Sequence, residues 1–187
     1  MIGRGTVIAR GIRFGPDDGF MRLRAVYLGA LASARTSVRI VSPYFLPDGA
    51  LIAGLNVAAL RGVTVDIVLP ERSNLRLVQW ACMGQLDQVL EHGCRVWLAP
   101  PPFAHTKLVI VDRHWALFGS SNWDPRSFRL NFEFDVESYD DALAGELDDD
   151  VAKMIGRSSE MTIANLRRRT RIEKLRDGAA RLLIPYL

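Results

Sequence analysis

The sequence predicts an α/β fold: a mixed, mostly parallel sheet flanked by helices on both faces, built as one domain over residues 1–187. Three features carry that expectation. Strand and helix patterns alternate three times through the first half, strand patterns alone follow, and helical patterns close the chain. Alternation of this kind joins parallel strands by right-handed crossovers and places helices on the sheet faces. With 187 residues, 49% hydrophobic and 24% charged, the chain can bury roughly 70% of the surface its unfolded form exposes. Disorder and collagen-like repeats are excluded. No repeat, low-complexity tract or long linker divides it.

Asp17 and Asp18 precede Leu23, Val26, Tyr27, Ala30, Leu31 and Ala34, whose spacing is that of one helix face. Val38 to Val41 reads as a strand ended by Pro43. Asp48 then caps an almost wholly apolar, buried helix that stops at Gly62. Val63 to Leu69 is a strand with Val63, Val65, Ile67 and Leu69 on one face. Asn74 opens a third helix running to Gly93, with Leu75, Val78, Cys82, Leu86 and Val89 on one side, and Cys94 to Leu98 is the next strand. After Pro100, Pro101 and Pro102, Lys107–Val111 and Trp115–Phe118 form a hairpin that turns at Asp112 and Arg113. Asn131–Tyr139 continues as a half-buried strand in which Phe132, Phe134 and Val136 alternate with Glu133, Asp135 and Glu137.

Cys82 and Cys94 make no C-x-x-C pair, so two reduced, buried thiols are expected. The longest apolar run, Ala50 to Leu60, is far short of the roughly 20 residues that span a bilayer. Met1 to Arg13 lacks the continuous apolar stretch of a signal peptide. Residues 163–187 hold seven basic residues against Glu173 and Asp177, a net +5 in a chain of net +3, so the remainder is net −2. Ile172, Leu175, Ala179 and Leu182 give this basic segment an apolar stripe. It suits anionic lipid, nucleic acid or a plain solvated helix face. Asp148, Asp149 and Asp150 read as a solvated face, and Trp80 and Trp97 as core. Trp123 and Phe103 fit either core packing or an apolar wall for acyl chains.

The chemistry is concentrated between His105 and Asn122. In an extended chain His105 and Lys107 project together while Thr106 faces away. Ser120 and Asn122 repeat that spacing after Gly119, where a missing side chain lets backbone approach a ligand. A neutral imidazole can attack phosphorus, while a cation, a hydroxyl and an amide hold the phosphoryl oxygens. That chemistry requires no metal or cofactor.

The spacing His105-x-Lys107-x4-Asp112-x6-Gly119-Ser120-x-Asn122 resembles the signature of the phospholipase D superfamily. Six specified residues at roughly one-in-twenty odds each, over fewer than about 200 windows, give a chance match on the order of one in a million. Ser42-Pro43-Tyr44-Phe45-Leu46-Pro47, Asp124-Pro125-Arg126-Ser127 and Asn131-Phe132-Glu133 extend the similarity to the second half of bacterial cardiolipin synthases. The resemblance implies one phospholipase D-type half-domain. His105 would be nucleophile or acid partner, Lys107, Ser120 and Asn122 would bind phosphate, and Glu133 would orient the imidazole. Asp112 joins the catalytic set as the motif aspartate, with a more architectural part.

The resemblance also implies two such motifs across a shared cleft, and this chain has one, because neither His92 nor His114 has a lysine two residues on. The expected partners are therefore an anionic phospholipid and a second motif-bearing half, supplied by a second copy or by a missing N-terminal half. The expected reaction is phosphatidyl transfer or phosphodiester cleavage through a phosphohistidine, with peripheral contact at the cytoplasmic side of a bacterial membrane. A homodimeric metal-independent nuclease is the alternative, weakened by the net negative charge outside the tail. An inactive phosphate-binding half-site is a third reading.

Overall fold

The computed structural model describes residues 7–16 and 20–184, apart from the side chains of residues 20, 128 and 129. The Asp17–Asp18 helix start and the last three residues of the basic segment lie outside them. Eight strands form one sheet: β1 (Ile8–Phe14), β2 (Ser37–Val41), β3 (Thr64–Pro70), β4 (Arg95–Ala99), β5 (Leu108–Val111), β6 (Trp115–Gly119), β7 (Glu133–Tyr139) and β8 (Ser159–Met161). Their order is β1-β7-β6-β5-β2-β3-β4-β8. The sheet is mixed and flanked by helices, as expected, but it is not mostly parallel. Only β2–β3 and β3–β4 are parallel, and the other five pairings are antiparallel. The crossover rhythm holds for β2, β3 and β4. Beyond them, hairpins and the two edge strands β1 and β8, which carry little apolar alternation, build the rest.

Helices α1 (Phe20–Ser33), α2 (Gly49–Leu60), α3 (Arg76–Met83) and α4 (Asp87–Leu90) cover one face. Leu23, Tyr27, Leu31 and Ala34 on the α1 side, and Leu51, Leu55 and Ala58 of α2, meet Val38, Ile40, Val65, Ile67, Val96 and Val109 in the larger core. Asp48 caps α2 through hydrogen bonds from the Ala50 and Leu51 N–H groups at 2.9 and 3.0 Å. Gly62, at φ +90°, ends it. The helix is buried on one face only, for Val57 and Leu60 are 53% and 71% exposed. On the opposite sheet face α6 (Asp141–Gly156) lays Ala144 and Val151 on Val41, Val68, Leu108, Ile110 and Ala116.

The expected third helix is two short ones. A Cβ at Gly84 would stand 2.7 Å from the Asp177 carbonyl oxygen, so the break lets α8 (Arg171–Leu182) cross closely, behind α7 (Ile163–Arg168). Asn74 is no cap; its Oδ1 accepts the Tyr44 hydroxyl at 2.9 Å. Trp80 and Trp97 are half-buried against the two cores. Asp148 is buried, not solvated, and pairs with Arg39 at 3.1 Å and Arg113 at 2.6 Å. Both cysteines are free and buried, and burial pushes each thiol up to about 12. Among the described residues no helix is long and apolar enough to cross a membrane.

Candidate active site

The extended segment ahead of β5 projects His105 and Lys107 together, as the period of two requires. Lys107 Nζ lies 2.9 Å from His105 Nδ1, 3.2 Å from its Nε2, and donates to the His105 carbonyl at 3.1 Å. Tyr44 stands edge-on to the imidazole at 5.7 Å and Phe103 lies 6.0 Å away. Partial burial, and then the Lys107 charge, hold the imidazole below its usual range. Both effects favour the neutral ring, the state in which a ring nitrogen has a lone pair to offer.

Lys107 faces acids. Burial draws its ammonium down, and Glu133, Asp124 and Asp135 work against that shift. Two of the three come from β7, which is inside out relative to expectation. Glu133, Asp135 and Glu137 are 8%, 1% and 2% exposed, while Phe132 and Phe134 are 80% and 56% exposed. The third, Asp124, caps α5 (Pro125–Arg129) and accepts from the Ser127 N–H at 2.8 Å. Burial raises the carboxyl groups of both Asp124 and Asp135 above the ordinary range, against hydrogen bonds from Ser127 and Ser121 respectively. Tyr27, stacked on Trp123 at 4.5 Å, is buried beside the same three acids, and both burial and their charges raise its phenol.

The other motif residues divide. Ser120 Oγ accepts the Phe134 N–H at 2.9 Å and so is tied to β7. Asn122 is buried, with its backbone N–H on Ser127 Oγ at 3.0 Å and its side-chain Nδ2 at 3.4 Å from the same oxygen. Glu133 accepts from Asn131 Nδ2 at 3.0 Å. Among the described residues no hydrogen bond joins it to His105, and its charge favours the Lys107 ammonium. Gly119 admits β7 and not a ligand, because a Cβ there would meet Asp135 Oδ1 at 2.2 Å. Trp123, 2% exposed, belongs to the core and lines no acyl wall.

Asp112 is not part of the site. It sits at the far end of β5, about 20 Å along the chain from His105 at strand rise. There it accepts the N–H groups of Arg35, Thr36 and Ser37 at 2.8–2.9 Å and the Thr36 hydroxyl at 2.8 Å. Partial burial acts upward on this carboxyl, but those donors outweigh it and hold the group below the ordinary range.

Sequence reasoning missed Asp135 and Tyr27 as site residues, and Tyr44 and Asp124 entered only through the resemblance. Asp124-Pro125 carries a cap-plus-proline signal that locates α5. Nothing in the alternation of β7 distinguishes which face is inside. No group of three or more His, Cys, Asp or Glu among the described residues is arranged to hold a metal ion.

A histidine-lysine pair at the entrance to β5, backed by buried carboxylates on a mixed sheet with helices on both faces, defines a phospholipase D-type domain. Residues 27–155 match the family model described as "Cardiolipin synthase, PLD-like domain". A cardiolipin synthase of Staphylococcus aureus is 34% identical over 183 residues, 98% of this chain and 37% of the relative. Cardiolipin synthase 2 of Bacillus anthracis is 34% identical over 173 residues, 92% of this chain and 34% of that protein. The fold matches that of Nuc from Salmonella typhimurium, with TM-score 0.70 at 24% identity, covering 83% of this chain and 99% of that one. It also matches a phosphatidylserine synthase of Haemophilus influenzae, with TM-score 0.75 at 16% identity over 97% of this chain and 48% of that one. The chain belongs to the cardiolipin synthase, phospholipase D-like domain family. It spans little more than a third of the length of the curated relatives it matches.

Proposed function

We propose that this domain supplies one half of a phosphatidyl-transfer site and that His105 is its nucleophile. The observation carrying this reading is the contact between His105 and Lys107 beside buried acids, with the imidazole held below its usual range by partial burial and the lysine charge. A ring nitrogen attacks phosphorus of an anionic phosphodiester lipid, forming an N–P bond as the P–O bond to the headgroup alcohol breaks. The departing alkoxide takes its proton from a second imidazolium. An acceptor alcohol then attacks phosphorus, the N–P bond breaks, and the same second group removes the acceptor's proton. Lys107 stabilises the charge gathering on the equatorial oxygens, and the Asn122 amide, which lies on the Ser127 hydroxyl, adds a neutral donor.

One imidazole cannot be nucleophile and general acid on opposite sides of phosphorus. The second comes from another motif-bearing half, in the remaining length by which the relatives exceed this chain or in a second copy. This fits peripheral work at a membrane that holds the lipid. The test is phosphatidyl transfer from phosphatidylglycerol in the presence of EDTA, with acid-quenched enzyme analysed for phosphohistidine. Transfer with label on His105 supports the reading. Transfer that needs a divalent metal, or DNA cleavage without any lipid turnover, overturns it.

A further inference from the structure

Helix α8 is turned outward. Its inner side buries Ala180 and Asp177, lays the Asp177 backbone against Gly84, and rests Arg176 over the Trp80 ring at 4.5 Å. Its large apolar residues face water: Ile172, Leu175 and Leu182 are 81%, 77% and 78% exposed. At about 100° per residue these three and the exposed Ala179 fall within an arc of about 80°. A helix at the edge of a globular domain ordinarily shows the reverse, with such a stripe against the core.

The charges around the arc are largely uncompensated. Asp177 is shared by Arg169 and Arg176, and Glu173 is engaged with the Thr170 cap. Among the described residues Arg168, Arg171, Lys174 and Arg181 make no ion pair; Lys174 and Arg181 donate only to the carbonyls of Arg167 and Gly84. Arg171 borders the apolar arc, and the longer side chains reach around the helix with their stems.

An apolar ridge edged by unpaired cations needs a partner that is hydrocarbon below and anionic at its surface. A second copy of the same helix brings positive charge against positive charge. A dissolved polyanion leaves the three aliphatic side chains in water. We infer that α8 is an interfacial element that lies in the plane of an anionic bilayer. Ile172, Leu175 and Leu182 enter the acyl boundary, and Arg168, Arg171 and Lys174 meet headgroup phosphates. The inference stands whether or not the domain transfers phosphatidyl groups.

Cosedimentation of the full chain with vesicles of phosphatidic acid and phosphatidylcholine in equal parts tests it, because neither the motif nor turnover of an anionic phosphodiester is then required. The chain is expected to bind these vesicles, to bind pure phosphatidylcholine at least tenfold more weakly, and to be released as salt rises. The variant Ile172→Gln/Leu175→Gln/Leu182→Gln should lose at least tenfold in partitioning with its melting midpoint unchanged. Arg168→Glu/Arg171→Glu should lose a similar factor, and Lys153→Met, at an exposed lysine of α6 on the other sheet face, should lose none. Undiminished binding by both surface variants, or no binding by the unaltered chain, overturns the inference. So does loss of self-association, instead of vesicle binding, in the surface variants. If Lys107→Met abolishes vesicle binding, the motif and not α8 holds the lipid, and the inference fails while the functional proposal survives.

Discussion

At one end of β5 an exposed imidazole and a lysine touch each other, and the backbone around them makes few demands on their side chains. At the other end Asp112 collects three backbone N–H groups and a hydroxyl from the segment entering β2, at φ +54°. One signature spans both ends. The pattern unites them because the strand between them fixes their separation, not because they meet. The residue types already hint at the division: imidazole and ammonium make bonds to a ligand, whereas a carboxylate in a turn answers donors that the turn leaves unpaired.

The largest expected effect falls on the reactive end. His105→Ala should reduce lipid turnover by roughly 10³-fold or more and leave the melting midpoint within a degree or two, since the side chain is exposed. Activity assays beside calorimetry on the same preparation check both. A substantial loss of stability would place His105 with Asp112 among the structural residues and break the distinction.

Asp112 should behave oppositely. Asp112→Ala leaves donors of Arg35, Thr36 and Ser37 without their acceptor and puts a Cβ-bearing, non-polar residue at positive φ, together costing about 2–3 kcal/mol. Asp112→Asn keeps one acceptor oxygen and tolerates that φ, so about 1 kcal/mol is expected. Denaturant titration distinguishes the two. Whatever activity survives in the folded fraction should keep its KM, because Asp112 touches nothing at the site.

The same division explains what could be read in advance. The hairpin, the parallel trio β2–β4 and the His105–Lys107 contact follow from period, turn chemistry and spacing, all local properties. The inversion of β7 does not. By hydrophobicity its phenylalanines belong inside and its acids outside, yet Glu133 and Asp135 face Lys107, and Glu137 pairs with Arg10 and lies 3.3 Å from Trp115 Nε1. Phe134 and Phe132 instead lie over Gly11 and Gly15 on the open face. Buried acids are tolerated where cations and donors on other elements answer them, and no window of β7 alone contains those partners. The split of α3 from α4 is similar, since its cause, the approach of α8 at Gly84, is nearly a hundred residues away in sequence.

Gly119 sharpens the comparison at intermediate size. A methyl group there must displace Asp135 or the Phe134 carbonyl, which a Cβ would meet at 2.2 and 2.4 Å. Gly119→Ala should cost about 1–3 kcal/mol and, unlike Asp112→Ala, should also alter binding of inorganic phosphate, because it displaces β7 and the Ser120 hydroxyl tied to it relative to Lys107. Isothermal calorimetry with phosphate on the folded variant decides this, and unchanged affinity would detach β7 from the site.

The smallest effect is in pH. Donors hold Asp112 below the ordinary aspartate value of 3.8, so its contribution to stability is full above the unfolded value and is lost as pH falls through the folded one. Burial raises Asp135 above the same 3.8, so the native state binds its proton more tightly than the unfolded chain does. Its contribution is full below 3.8 and is lost as pH rises through the raised value. Asp112→Asn should therefore flatten the acid limb of a stability-against-pH curve. Asp135→Asn should flatten the decline just above it, while leaving the acid limb in place. The same substitution removes a carboxylate that holds the Lys107 ammonium up, so the alkaline limit of phosphate binding should move to lower pH. Two aspartates of one domain then titrate in opposite senses, one because N–H groups converge on it and the other because water has been taken away.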